Sequence, residues 1–397
     1  MNENLRTMIQ AVDDRIIHAS VTWLDTSTAR GGADSKTARG SRADVNLDED
    51  AYLVAAMASA ALAAAEARAD FADGMTLNDR KVAVDGAATE AAEKVLRQAP
   101  FGIRVAAGEG ERDDSPGAHS GQWLGLAESE AARTVDGVFD YVDGTELAAT
   151  AEPGALTLGG FGVGVRPVPD LQAYAVLAPV ELLADLDLML RPEDGVRMVL
   201  DRIAASLGKL PADLTVSTHS IASTPMHHTL IDLMRSRVRA VLVPESVTVE
   251  PPYLLSLVGL SEPRIDSMIG AIGLSELAFA AGLVDLVAPG LGFAFRLASI
   301  SGPRAEPTLT SLDALFNFSE DEEAALRSSG WDKDRQYTSE DLVRPGTSRS
   351  AALFAVTDNP SLGIRGPEPE GEGVANVEGF LVKPSAKVGR IRLDYRR

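Results

Sequence analysis

VDGVFDYVDGT, residues 135–145, is a largely apolar run that breaks at Asp-Gly-Thr and hands over to the helical ELAAT of 146–150. A strand leaving through a tight glycine turn into a helix is the joint of a layered α/β protein, and strand exits are where such folds gather ligand-binding side chains. Asp140 and Asp143 stand at this joint three residues apart, followed by Gly144 and Thr145. The stretch suits either a solvated surface turn or a site for a metal and a phosphate. Gly144 would let backbone approach a phosphoryl group. Thr145 would offer a hydroxyl and N–H groups at a helix start, which favours an anion.

The alternation extends in both directions. Upstream, an Ala-rich helix is expected over about 50–70. A second is expected over 85–98, with Asp85 as N-cap or first-turn residue. A strand over 102–107 ends in the acidic loop GEGERDDSPG. Residues 155–165 and 172–184 read as further apolar structure. GGFGVGV (159–165) lacks the helix and acidic residue of a dinucleotide loop, so it reads as close strand packing. Downstream, a helix at 194–208 leads to a strand at 213–218, and a helix at 226–236 to a strand at 239–244. A strand at 266–273 then leads to the helix SELAFAAGLVDLV. From 302 to 350 the chain turns polar and Pro-rich, an expected excursion with one short helix at 319–328. Strands at 350–357 and 377–384 close the domain around an exposed PEPEGEG loop.

The expected fold class is therefore α/β, layered. The expected division is a 1–49 N-terminal extension with a Gly/Ser-rich loop or linker at 26–46, a 50–190 metal- and phosphate-binding half, and a 191–397 half completing the substrate pocket.

Composition narrows the function. A net charge of −21 over 397 residues, with no concentrated basic stripe, argues against a nucleic-acid partner. The absence of cysteine removes disulfides, thiolate nucleophiles and Cys-based zinc sites, and fits a reducing cytoplasm. Apolar runs such as 53–65 end in charge and are read as too short to span a bilayer, and the N-terminus lacks a signal-peptide layout. A cytoplasmic protein with no membrane partner is expected. No P-loop and no Ser-His-Asp arrangement is evident in the sequence.

The acidic residues carry more. Asp85, Glu109, Glu111, Asp140, Asp143 and Glu276 fall at strand ends or helix starts of four segments. Any one of them alone reads as a solvated turn carboxylate. Buried together without equal basic partners they would repel one another. Divalent cations resolve that conflict, and oxygen-only ligands suit magnesium or manganese rather than zinc or copper.

DGAA (85–88), GEGERDD (108–114), DYVDGT (140–145) and GAIGLSE (270–276), in this order from about 50 to about 385, resemble the class II fructose-1,6-bisphosphatases. These belong to the lithium-sensitive, metal-dependent sugar and inositol phosphatases. The resemblance implies the two-part α-β-α-β sandwich of that superfamily, and Asp85, Glu109, Asp140, Asp143 and Glu276 as metal ligands. It implies that Thr145, with Asp140, orients the attacking water and that Lys81 lies near the catalytic centre. Glu111 and Asp113 are further candidates. Asp143 replaces the usual glutamate, and Tyr141 a proline.

The substrate end departs from the pattern. The family's Lys-Pro-Arg segment, whose arginine grips a distal phosphate, is matched by Ser223, Thr224 and Pro225. Its Asp-Gly-Asp sugar contact is Glu245, Ser246 and Val247, and Leu182 replaces a tyrosine. Arg235, Arg237 and Arg239 stand nearby in sequence as replacement cations. Gly144, Thr145, Gly273, Glu245 and His227 are the candidate substrate contacts. His227 and His228 have the competing reading of a helix-start pair facing solvent, and His219 is open.

The reading is a magnesium- or manganese-dependent phosphatase acting on a phosphate monoester of a sugar or cyclitol, in a specialised pathway and as a homo-dimer or homo-tetramer. Its alternatives are a genuine fructose-1,6-bisphosphatase and a catalytically idle sugar-phosphate-binding regulator.

Overall fold

The computed structural model describes residues 2–26, 47–108, 119–369 and 373–396. The expected 26–46 loop, apart from Thr26, lies outside the described residues. So do the tip of PEPEGEG and Glu109, Glu111 and Asp113 of the acidic loop.

The chain is mixed α/β, with two sheets and their helices, and divides into two compact units, 1–163 with 348–397, and 164–347. Along the first unit run α1 (Asn2–Val12), β1 (Ile16–Trp23), α2 (Leu47–Ala67), α3 (Leu77–Leu96), β2 (Gly102–Gly108), β3 (Trp123–Gly125), β4 (Thr134–Asp143), α4 (Thr145–Thr150) and β5 (Leu156–Gly162). The second unit holds β6 (Gln172–Pro179), α5 (Pro192–Ser206), β7 (Thr215–Ser217), α6 (His228–Arg235), β8 (Ala240–Leu242), α7 (Pro251–Leu255), β9 (Ser267–Gly273), α8 (Leu274–Val287), β10 (Leu291–Ala298), α9 (Ser301–Ala305), α10 (Glu320–Ser329), β11 (Gln336–Thr338) and α11 (Ser339–Leu342). The chain then returns to the first unit as β12 (Ser350–Ala355), β13 (Glu368–Pro369), β14 (Val374–Lys383) and β15 (Lys387–Arg396).

In the first unit the sheet order is β1-β15-β14-β12-β5-β4-β2-β3, with β13 on β14, and among the described residues the one parallel pair is β2 with β4. The N-terminal segment, expected as an extension, supplies an edge strand here. β1 runs antiparallel to β15 from Trp23 opposite Gly389 to Ile16 opposite Tyr395, and α1 buries Leu5 and Ile9. Asp13 ties the segment down. Burial would raise its pKa, but bonds from Arg15 and Ser59 outweigh that and hold it below the usual carboxylate value.

The helical stretch Asp48–Asp70, which includes most of α2, is long and apolar enough to cross a membrane by length and composition alone. Its Leu53, Val54, Met57 and Ala61 are nonetheless fully buried in the core of the unit. Alanines and Gly159 let helix and β5 meet closely, since a Cβ at Gly159 would lie 2.7 Å from the Met57 sulfur. Thr157 donates to the Met57 carbonyl at 3.0 Å.

In the second unit the order is β11-β10-β6-β9-β7-β8, with β7 parallel to both β8 and β9. The stretch expected as a polar excursion is part of this core. Leu312, Leu315, Leu326, Trp331 and Tyr337 are buried, and β11 pairs with β10. Polar composition misleads here because aromatic burial carries the packing: the rings of Trp331 and Tyr337 meet edge-on at 4.8 Å.

Two further boundaries differ from expectation. α3 begins at Leu77, because Thr76 and Asp79 form a capping box, so Asp85 sits within the helix rather than at its start. β4 runs through Asp143, so the two carboxylates lie inside the strand and not beyond it.

Candidate active site

In a regular strand, residues three apart face opposite sides. Asp140 pairs opposite Leu158 and Asp143 opposite Leu156, so four residues of β4 face three of β5, and a bulge re-aims the side chains between them. Both carboxylates are about nine-tenths buried. The Val142 N–H donates to Asp140 Oδ1 at 3.1 Å, and Thr145 Oγ1 donates to the Val142 carbonyl at 2.9 Å. Gly144 has φ +79°, a left-handed conformation that suits glycine, and it turns the strand directly into α4. Below this turn the Tyr141 ring stacks on Phe139 at 5.5 Å. Burial, reinforced by Glu93, pushes its hydroxyl pKa well up and keeps it neutral.

α3 packs against both β4 and α4. It carries Lys81 and Asp85, one helical turn apart and both half-buried. The first unit thus brings Asp140, Asp143, Gly144 and Thr145 into one turn, with Lys81 and Asp85 on the helix against it. The donors are buried carboxylates, and oxygen donors of this kind fit a hard divalent cation. Among the described residues no group of three or more His, Asp or Glu side chains stands ready to hold a metal.

The second unit holds Glu276, Gly273, Glu245 and His227. Glu276 lies in the first turn of α8, where a negative charge is favourable. Its carboxylate folds back over Gly273, where a Cβ would collide with it, and accepts from Ser275 Oγ at 2.7 Å. Glu245 is exposed in the turn after β8, and its carbonyl accepts from the Ser223 N–H at 3.0 Å. His227 does not face solvent. Its ring is buried and its Nδ1 accepts from the Ile221 N–H at 2.6 Å. Burial, with repulsion from His219 and His228, pushes its pKa down to about 4, so the ring is neutral near pH 7. His228 is exposed, with Nε2 3.0 Å from the Ala222 carbonyl.

The structure adds a pair that sequence reasoning missed. His219 Nδ1 lies 2.6 Å from Glu250 Oε1, and Glu250 is almost fully buried. With the two residues 31 positions apart, no local spacing pointed to it.

Comparison with known proteins places the chain first among sugar phosphatase families, through a family model that matches residues 51–391. The family is described as bacterial fructose-1,6-bisphosphatase, glpX-encoded, and the chain belongs to it. A fructose-1,6-bisphosphatase 1 class 2 of Escherichia coli (strain K12) is 29% identical over 169 residues, 42% of this chain and 47% of that protein. A D-fructose 1,6-bisphosphatase class 2/sedoheptulose 1,7-bisphosphatase of Synechococcus sp. (strain JA-3-3Ab) is 29% identical over 153 residues, 36% of this chain and 43% of the other. Its namesake from Prochlorococcus marinus (strain NATL1A) is 27% identical over 159 residues, 40% and 45% of the two chains. The chain spans just under half the length of these curated relatives.

Proposed function

We propose that this chain is a metal-dependent phosphatase that hydrolyses a phosphate monoester of a sugar or cyclitol. The observation that carries the reading is the turn at 140–145, two buried carboxylates on a bulged strand running through a left-handed glycine into Thr145. It lies in a chain of the fructose-1,6-bisphosphatase family, whose class II members are metal-dependent.

Asp85, Asp140 and Asp143 of the first unit would hold magnesium or manganese. When bound, the metal would supply a polarised water and neutralise phosphate charge. The protein's own groups do the positioning. Thr145 donates its hydroxyl proton to the Val142 carbonyl, so its lone pairs face outward to accept a hydrogen bond from an approaching nucleophile and orient it. The Val142 N–H bond braces Asp140 in one orientation. Lys81, on the helix packed over the turn, adds a positive charge that favours an anionic substrate. Membership of the lithium-sensitive superfamily and a homo-dimeric or homo-tetrameric assembly belong to the same proposal.

Hydrolysis of fructose 1,6-bisphosphate itself is supported by the family and by the names its relatives carry. The sequence at Ser223–Pro225 favours a different substrate, and the structure offers no substitute from two of the nearby arginines. Arg237 pairs with Asp201, and Arg239 bonds Thr215 Oγ1 at the start of β7, the end of the strand away from that turn. Phosphate release by the purified chain, with and without manganese, across mono- and bisphosphorylated sugars of four to eight carbons tests the reading. No release from any of them sinks it.

A further inference from the structure

Burying a carboxylate costs free energy that an apolar side chain of similar volume would not, so a buried ion pair is weak evidence for stability and better evidence for a fixed register. Glu93 is such a group in the first unit. It stands just over two turns beyond Asp85 on α3 and is almost fully buried, while its pairing cation, Arg97, is mostly exposed one turn further on. Its Oε1 accepts from Gln122 Nε2 at 2.8 Å. Gln122 in turn is stitched to β2. Its carbonyl accepts from the Val105 N–H at 2.9 Å, and the neighbouring Gly121 N–H donates to the Val105 carbonyl at 2.8 Å. Its side-chain oxygen accepts from the His119 N–H at 3.2 Å. β2 runs parallel to β4, and its last residue, Gly108, stands opposite Phe139, the residue before Asp140. Tyr141, between the two aspartates, lies close enough to Glu93 that the carboxylate adds to the upward push that burial gives its hydroxyl pKa. One buried side chain thus ties the helix that carries Asp85 to the strand pair that carries Asp140 and Asp143.

We propose that Glu93 is a positioning residue of the metal site: through Gln122 it locks α3 to the β2–β4 pair, and so sets the separation between the Asp85 carboxylate and those of Asp140 and Asp143. This rests on the phosphatase reading above. Glu93 takes no part in the chemistry itself. It acts on cation affinity, because ligands held in place before the cation arrives bind it more tightly than ligands left to drift.

The test is the dissociation constant of manganese for the full chain, read without substrate from the electron paramagnetic resonance of the free ion. Glu93→Met, close in volume and cheap to bury, should raise that constant about tenfold, the size of loss that follows when a ligand's support is removed. Its melting temperature without metal should stay at or above that of wild type. Glu93→Gln keeps an oxygen for Gln122 and should restore most of the affinity. Gln122→Leu cuts the same bond from a half-buried position. It should match Glu93→Met, and the double variant should bind no more weakly than either single one. Gln122→Leu also carries the test if Glu93→Met does not fold. In these variants the manganese concentration for half-maximal phosphate release should rise by the same factor. A manganese constant unmoved by both Glu93→Met and Gln122→Leu, whatever their melting temperatures, assigns Glu93 to the fold alone and overturns the inference. Phosphate release by wild type then leaves the phosphatase reading standing. Wild type that binds no manganese overturns the inference too, and takes the phosphatase reading with it when no ester releases phosphate.

Discussion

At Asp140 the carboxylate accepts the Val142 N–H through Oδ1, which fixes the orientation of the group. Asp140→Asn keeps the accepting oxygen and the volume and removes the charge. Phosphate release should fall by about two to three orders of magnitude, while the thermal melting temperature stays near wild type. A variant that keeps its rate shows that the charge takes no part. Gly144 is a sharper structural test. A Cβ at φ +79° is strained, so Gly144→Ala should lose about 1 kcal/mol of stability in urea unfolding, and it should lose activity as well through a displaced Thr145. The Asp-x-x-Asp-Gly-Thr pattern and its Gly144 were legible in the sequence because they are local. The bulge was not, since it exists only in the register between β4 and β5. The His219–Glu250 contact stayed hidden for the same reason, as it joins loops that follow different strands.

The elements were legible where propensity and apolar runs set them, as in α2, α5 and α8 and in β7 and β9, whereas β1 and β10 were not read. α3 shows where that signal stops. Its first two turns, LNDRKVAV, mix polar and apolar residues, so the pattern begins to read clearly only near Asp85. The start is set instead by Thr76, whose hydroxyl accepts from the Asp79 N–H at 3.2 Å while the Asp79 carboxylate accepts from the Thr76 N–H at 3.2 Å. Thr76→Ala should therefore cost about 1 kcal/mol, measured as a lower urea midpoint. It should also increase amide exchange in the first turns of α3, toward Lys81. A variant with unchanged exchange there would show that packing against β4 and α4, rather than the cap, sets the start of the helix.

For the whole molecule, the α/β class was legible because strands and helices alternate along the chain. The return of residues 348–397 to the first unit was not, because a strand does not encode which sheet it joins. Buried titratable groups were equally invisible in one dimension, and they set how the molecule responds to acid. His227 titrates at about 4 in the folded chain against an ordinary 6.5, because burial disfavours its charged form. The unfolded chain therefore binds the extra proton between these values. The stability His227 contributes is complete above pH 6.5 and is lost as pH falls toward 4. Between pH 7 and pH 5 the loss should be about 2 kcal/mol. His227→Asn retains an acceptor for the Ile221 N–H and cannot titrate, so its stability should fall by correspondingly less across the same interval. Glu49 and Asp50, which burial raises, respond in the opposite sense, and Asp13 and Glu322, which end lowered once hydrogen bonds outweigh burial, lose their contributions only below about pH 4. All four are common to both proteins, so the difference between them isolates His227. Urea midpoints of wild type and variant at pH 7 and pH 5, followed by circular dichroism, measure it, and parallel losses in the two proteins would show that His227 is not the group that titrates.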